Sequence, residues 1–169
     1  MLKEKMLTFV ISDLCITEKE EIAQHCMGCF SCFVKTPGVC VIKDGFEQSG
    51  AKMGNADRVV IISKMEFGGY SSRVKKILDR CLPSVHADFE IVNGQMRHAR
   101  RYDNNPDFDI YFYSDAIFDS KQMNVGIDLV MRNANNLGFT NTNISYVKTE
   151  EAVKIAEELI KDGAYYNQC

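Results

Sequence analysis

A chain of 169 residues with 46% hydrophobic and 25% charged side chains can bury one full core, and no shift in composition divides it, so residues 1–169 read as a single domain. Its net charge of −3, with Arg97 to Arg101 as the one short basic knot, excludes the basic face that nucleic-acid binding requires. No apolar run approaches the roughly 20 residues of a membrane span, no cleavage signature follows Met1 to Lys5, and an odd number of cysteines, seven, reads as reduced thiols or metal ligands in a cytoplasmic protein.

The first element in chain order is the β-prone run Leu7 to Ile11, whose near-total apolarity suits a strand covered on both faces. It leads into Ser12-Asp13-Leu14-Cys15-Ile16-Thr17-Glu18, a loop without glycine. Next come four cysteines within fifteen residues: Cys26, Cys29 and Cys32 on adjacent C-x-x-C steps, and Cys40 returning after the turn at Thr36-Pro37-Gly38. Two-residue gaps let successive thiolates curl around one corner of an iron–sulfur cube, and a fourth cysteine closes the site. Phe30, Phe33 and Val34 would limit water there. Zinc is the competing metal, although four-thiolate zinc sites more often use two separated C-x-x-C pairs, and reduced thiols in an apolar loop are the third reading. Cys15, Cys81 and Cys169 read as bystanders, and His25 as a surface or capping residue.

Arg58 to Ser63 forms the second strand, and Ser63 to Ser72 the loop that joins it to a helix. In an open α/β sheet ligands lie beyond the carboxyl ends of strands. Paired glycines at Gly68 and Gly69 would admit a planar ligand, Phe67 or Tyr70 would flank a ring, and Ser71 and Ser72 would offer donors at the helix start; the same residues also suit a plain tight connection. The helix carries Val74, Ile77, Leu78, Cys81 and Leu82 on one face and ends at Pro83. Phe89 to Val92 is a weak strand candidate, Arg100 to Asp107 a surface loop, and Arg97, His98, Arg100 and Arg101 either an anion site or, in preference, solvated decoration. Phe108 to Tyr113 and Asn143 to Val147 are further strands. Between them a helix runs from about Ser120 to Leu137 with Met123, Ile127, Val130, Met131 and Ala134 inward and Gly138 as its stop. The last helix starts at Thr149 and ends near Gly163, burying Ala152, Val153, Ala156, Leu159 and Ile160.

Strands alternating with helices at these lengths predict a doubly wound parallel sheet with helices on both faces. Four good strands are visible where a flavodoxin-like sheet has five, so either one βα unit is missing or one strand is disguised, as at Phe89 to Val92.

The run from Cys26 to Asp44, then Ala56-Asp57, the strand, Gly68 to Ser72, Lys75 and Asp79-Arg80, resembles the flavodoxin-fold NADPH-dependent FMN reductases and iron–sulfur flavoproteins. The resemblance covers residues 26 to 82 and fades to a general fold pattern over 108 to 161. It implies an oligomeric electron-transfer protein with FMN bound near Phe67, Gly68, Gly69, Tyr70 and Ser71, a [4Fe–4S] cluster on Cys26, Cys29, Cys32 and Cys40, and NAD(P)H or a redox protein as the electron source. No side chain need act as acid or base, since cofactors carry such chemistry. Two features depart from the family: the glycine-rich loop that cradles the FMN phosphate is absent after the first strand, and Lys64, Met65 and Glu66 replace the proline and aromatic that precede the glycines. These departures open the alternative of a flavin-free relative that relays electrons through a cluster or joins a complete flavoprotein as a subunit.

Overall fold

In chain order, the computed structural model, which describes residues 6–16 and 23–168, gives β1 (Thr8–Ser12), α1 (Ser31–Val34), α2 (Ser49–Gly54), β2 (Arg58–Glu66), β3 (Gly69–Tyr70), α3 (Ser72–Arg80), β4 (Val85–Val92), β5 (Gln95–Arg100), β6 (Asp107–Tyr113), α4 (Ser120–Leu137), β7 (Asn141–Val147), α5 (Thr149–Lys161) and β8 (Tyr165–Gln168). Met1 to Lys5, Thr17, Glu18 and Cys169 lie outside the described residues.

Five parallel strands form the central sheet in the order β7-β6-β2-β1-β8, with β3 turned back against the end of β2. Side chains alternate across it with the period of two that strands impose. Phe9, Ile11, Val59, Ile61, Phe108, Ile110 and Phe112 face α2, α3 and α4. Val10, Val60 and Ile62 face Ala152, Ala156 and Leu159 of α5. The result is a flavodoxin-like three-layer sandwich with unequal outer layers. Because one helix covers its side of the sheet, the strands finish that face with a polar ladder: Arg58 Nε meets Asp109 Oδ2 at 2.6 Å, and Asn143 Nδ2 donates to Asp109 Oδ1 at 2.8 Å.

The fifth strand is not Phe89 to Val92. That segment belongs to β4, which pairs with β5 in a separate antiparallel hairpin, closed by Asn93 and Gly94 at φ 52° and 76°. β8 instead takes the sheet edge beside β1, where the flavodoxin order places its second strand. Only a loop, α1 and α2 connect β1 to β2 among the described residues, so the trimmed βα unit lies there.

The inward stripe of α4 is also rotated from the expected one. Gly126, Val130 and Ala134 are buried, whereas Ile127 and Met131 are exposed. Gly126 sets this rotation, since a Cβ there would come within 3.1 Å of Met65 and 3.3 Å of the Gly68 carbonyl, and only glycine lets the helix seat so closely. Gly138 ends the helix in the left-handed region at φ 76°, as expected.

Candidate functional site

The cysteine loop leaves the buried Ala23, carries Cys26 and Cys29 on the surface, and reaches Cys32 at the start of α1 and the buried Cys40 beyond it. Two residues in left-handed conformation, Gly28 at φ 64° and Phe30 at φ 52°, reverse the chain on either side of Cys29. After α1 the N–H of Gly38 donates to the Cys32 carbonyl at 3.1 Å, and the N–H of Cys40 donates to the Glu47 carbonyl at 3.0 Å.

Arg80, at the last turn of α3, holds both stems of this loop. Its Nη1 donates to the Gln24 carbonyl at 3.0 Å and to Asp44 Oδ2 at 2.8 Å; its Nη2 donates to the Ile42 carbonyl at 3.2 Å and to Asp44 Oδ1 at 2.9 Å. The Arg80 side chain has no solvent exposure. Burial by itself would raise the Asp44 carboxyl, but hydrogen bonds from Arg80 and from the N–H groups of Gln24 and Phe46 hold it at about 2.

The four thiols differ in environment. Burial, and then the neighbouring thiols of Cys40, Cys26 and Cys29, pushes the Cys32 thiol up. Ser31 lowers the Cys29 thiol through its backbone N–H and its hydroxyl, with Lys35 adding a smaller attraction. As a donor set, four soft thiols, three of them within electrostatic reach of Cys32, fit an iron–sulfur group. Among the described residues no three His, Cys, Asp or Glu side chains converge on a point that could hold a metal ion. Cys81 is fully buried and its thiol is pushed far up by desolvation, as befits a packing residue. Cys15 lies apart, 3.7 Å from Arg73 Nη1.

The cationic knot neither decorates the surface nor leaves an anion site. Arg97 pairs with Glu90 at 2.8 Å, and Arg101 donates to the carbonyls of Pro83 at 3.0 Å and Val85 at 3.2 Å. His98 lies between Phe33 of the cysteine loop and Phe89 of β4, with ring centroids 5.7 and 4.5 Å away. The His98–Phe33 contact stitches the β4–β5 hairpin to the cysteine loop, while the two arginines hold the hairpin to itself and to the segment that enters it. Beside them, a cleft of about 360 Å³ is lined by Cys26 and Phe30, by Leu78 of α3, and by Leu129, Asn133 and Asn136 of α4. It is the cavity that a group held near the loop would adjoin.

The glycine loop sits elsewhere. Phe67 and Gly68, at φ 51° and 81°, are the two central residues of a hairpin turn between β2 and β3. Phe67 stands in solvent, 96% exposed. Tyr70 is buried against Phe112 with ring centroids 5.4 Å apart, and the Asn133 amide approaches its hydroxyl without reaching hydrogen-bond geometry. Ser71 caps α3, its hydroxyl accepting from the Val74 N–H at 3.3 Å while its own N–H donates to Ser63 Oγ at 2.9 Å. Gly68 packs on α4, where an added Cβ would lie 3.0 Å from both the Gln122 carbonyl and Val125 Cβ. Replacing it with alanine is expected to cost about 1–3 kcal/mol in a urea titration. Gly94→Ala, with the same sign of φ but open space around it, is expected to cost less.

The cysteine loop is anchored at the end of α3 away from the glycine turn, while Cys26 and Phe30 line their cleft together with Lys75 of α3 and Asn133 of α4. Ser71 starts α3 and Arg80 ends it, so the glycine turn and the cysteine-loop clasp lie apart by the length of a nine-residue helix, about 13 Å. The position where a phosphate would meet the end of β1 is filled by the chain itself. Asp13 accepts from the Lys64 N–H at 3.0 Å and from the Tyr113 hydroxyl at 2.9 Å. A carboxylate holding those donors repels a dianion, so the described residues at this rim do not fit FMN.

No family model matches the chain. A segment of 68 residues, 40% of the chain, is 38% identical to an iron-sulfur flavoprotein of Methanocaldococcus jannaschii. The match spans about a third of that protein's length, 34%. No helix among the described residues is long and apolar enough to cross a membrane.

Proposed function

We propose that this chain is an iron–sulfur electron carrier whose cluster is held by Cys26, Cys29, Cys32 and Cys40 and which exchanges electrons with a flavin borne by a partner chain. The observation that supports it most is the cysteine loop itself: four thiols between two stems that one buried arginine holds to α3. The partial likeness to an iron-sulfur flavoprotein supports the same class. A cluster supplies one-electron transfer without proton chemistry, and its potential follows charge, hydrogen bonding and solvent exposure around the sulfurs. The chain's part is to set those surroundings. Phe30 and Phe33, with ring centroids 6.2 Å apart, cover one side of the loop, and the Ser31 N–H and hydroxyl are available to the Cys29 sulfur.

The partner is assigned the flavin because Asp13 occupies the rim where this chain would hold the phosphate. The loop exposes Met27, Phe30 and Val34 at 69%, 58% and 78%, an apolar surface suited to contact with another subunit. Anaerobic reconstitution of the purified chain with iron and sulfide, followed by absorbance and metal analysis, tests the reading. A broad shoulder near ~400 nm with bound iron and sulfide is expected, and added FMN should wash out on gel filtration. Retained FMN in the isolated chain would restore the reading in which Phe67 to Ser71 serve a flavin and NAD(P)H supplies the electrons. Absence of iron after reconstitution would reject the cluster.

A further inference from the structure

We infer that Arg80 is the positioning residue of the cysteine site: its buried guanidinium presets the loop in the metal-free chain, with Cys40 as the fixed ligand and Cys26 and Cys29 as the ones that close over the metal. The inference rests on the cluster reading above and assigns unequal parts to its four ligands.

The geometry behind it is a clasp. Both Nη atoms of Arg80 are shared between a backbone carbonyl and an Asp44 oxygen, so one planar group joins residue 24, residue 42 and residue 44. Lysine can carry the charge but not that fork, because a single ammonium has neither the planarity nor the donor spacing for two carbonyls and a bidentate carboxylate together. Cys40 lies two residues before the Ile42 carbonyl that Arg80 Nη2 holds, within electrostatic reach of the guanidinium, and its own N–H is tied to the Glu47 carbonyl at 3.0 Å. Cys40 is 8% exposed. Cys26 and Cys29, by contrast, are on the surface of a segment reversed at Gly28 and Phe30, with no side-chain hydrogen bond among the described residues fixing Cys26. A loop closed at its stems and open at its crown brings a ligand set together with little ordering of the stem left to do when metal arrives.

Timed alkylation of the reduced, metal-free full chain, read by mass spectrometry, tests the clasp directly, with Cys15 as an exposed reference outside the loop. Cys40 is expected to react about tenfold more slowly than Cys26 and Cys29, and Arg80→Lys to narrow that ratio to about threefold or less. Equal rates in the unaltered chain would overturn the inference. The second arm uses Co(II) as the probe metal and asks which thiols it protects. The unaltered chain should protect all four, whereas folded Arg80→Lys should protect Cys26, Cys29 and Cys32 and leave Cys40 open. Asp44→Asn, which keeps an acceptor for the arginine, should lie between the two. Folded variants that protect all four thiols as fully as the unaltered chain would overturn the assignment. Should Arg80→Lys not fold, Asp44→Asn decides this arm; should neither fold, the alkylation ratio of the unaltered chain decides alone. A chain that binds neither Co(II) nor iron would reject the cluster, while the alkylation rates would still decide the clasp.

Discussion

Cys29→Ala is expected to leave a folded chain that retains less than about a quarter of the wild-type iron after anaerobic reconstitution. Cys29 is exposed and belongs to no packed cluster, so its removal should shift stability by no more than about 0.5 kcal/mol. The metal loss would then report ligation and not unfolding. Its thiol is also the one that Ser31 lowers through its backbone N–H and hydroxyl, which raises its thiolate character. Cys81→Ala provides the opposite control. That thiol is buried in the core just past the end of α3, so its loss should lower the unfolding midpoint and leave iron content unchanged. Iron analysis and circular dichroism on the same preparations distinguish the two patterns. Unchanged iron in Cys29→Ala would remove Cys29 from the ligand set.

The sequence showed the parts of the fold in which apolar side chains dictate structure. β1 and β2 are apolar runs, β6 and β7 set apolar and aromatic residues among polar ones, and the stripes of α3 and α5 fell where the helices bury them. β8 escaped because its pairing with β1 is made by backbone groups from a Tyr-Tyr-Asn-Gln segment with no apolar run to betray it. The β4–β5 hairpin was legible in principle. Asn93-Gly94 is the strongest two-residue turn signal in the chain, but the strands around it are too polar to draw attention. In α4 the hydrophobic residues misled: Ile127 and Met131 mark a stripe, while the helix buries the face bearing Gly126 because packing distance overrides side-chain hydrophobicity.

The candidate site divides in the same way. Cysteine spacing is a local pattern and could be read directly. Arg80 could not, since it is a charged residue whose partner Asp44 lies 36 positions away, and only the folded chain shows a guanidinium entering the interior. The distance between the glycine turn and the Arg80 clasp was likewise invisible, because it follows from α3 running its full length between Ser71 and the arginine that ties residues 24, 42 and 44. The charge of Asp13 is hostile to a phosphate, and the sequence displays that charge directly. The structure adds that Lys64 and Tyr113 turn their donors to it, so the carboxylate belongs to the rim and does not hang in solvent.

Arg80→Met is expected to destabilise the chain by about 3–5 kcal/mol at pH 7, since it leaves the Asp44 carboxylate in the interior without its partner. Both members are well covered, with side-chain exposures of 0% and 7%, so little screening by water softens the loss. The exposed pair Lys154–Glu150 on α5 supplies the contrast, and breaking it should produce no measurable change. Acid gives the change an additional signature. In the unaltered chain Asp44 is depressed from 3.8 to about 2, so its contribution is complete above about pH 4 and is lost as pH falls through about 2, on the order of 2 kcal/mol in all. In Arg80→Met the sign reverses, because burial without the guanidinium raises the carboxyl and its protonation relieves the buried charge. The difference between the two chains should therefore be largest near pH 7 and contract by pH 3. Urea midpoints at both pH values measure it; a difference that stays constant would show that Arg80 acts through packing of its aliphatic stem, and that Asp44 is solvated once the arginine is gone.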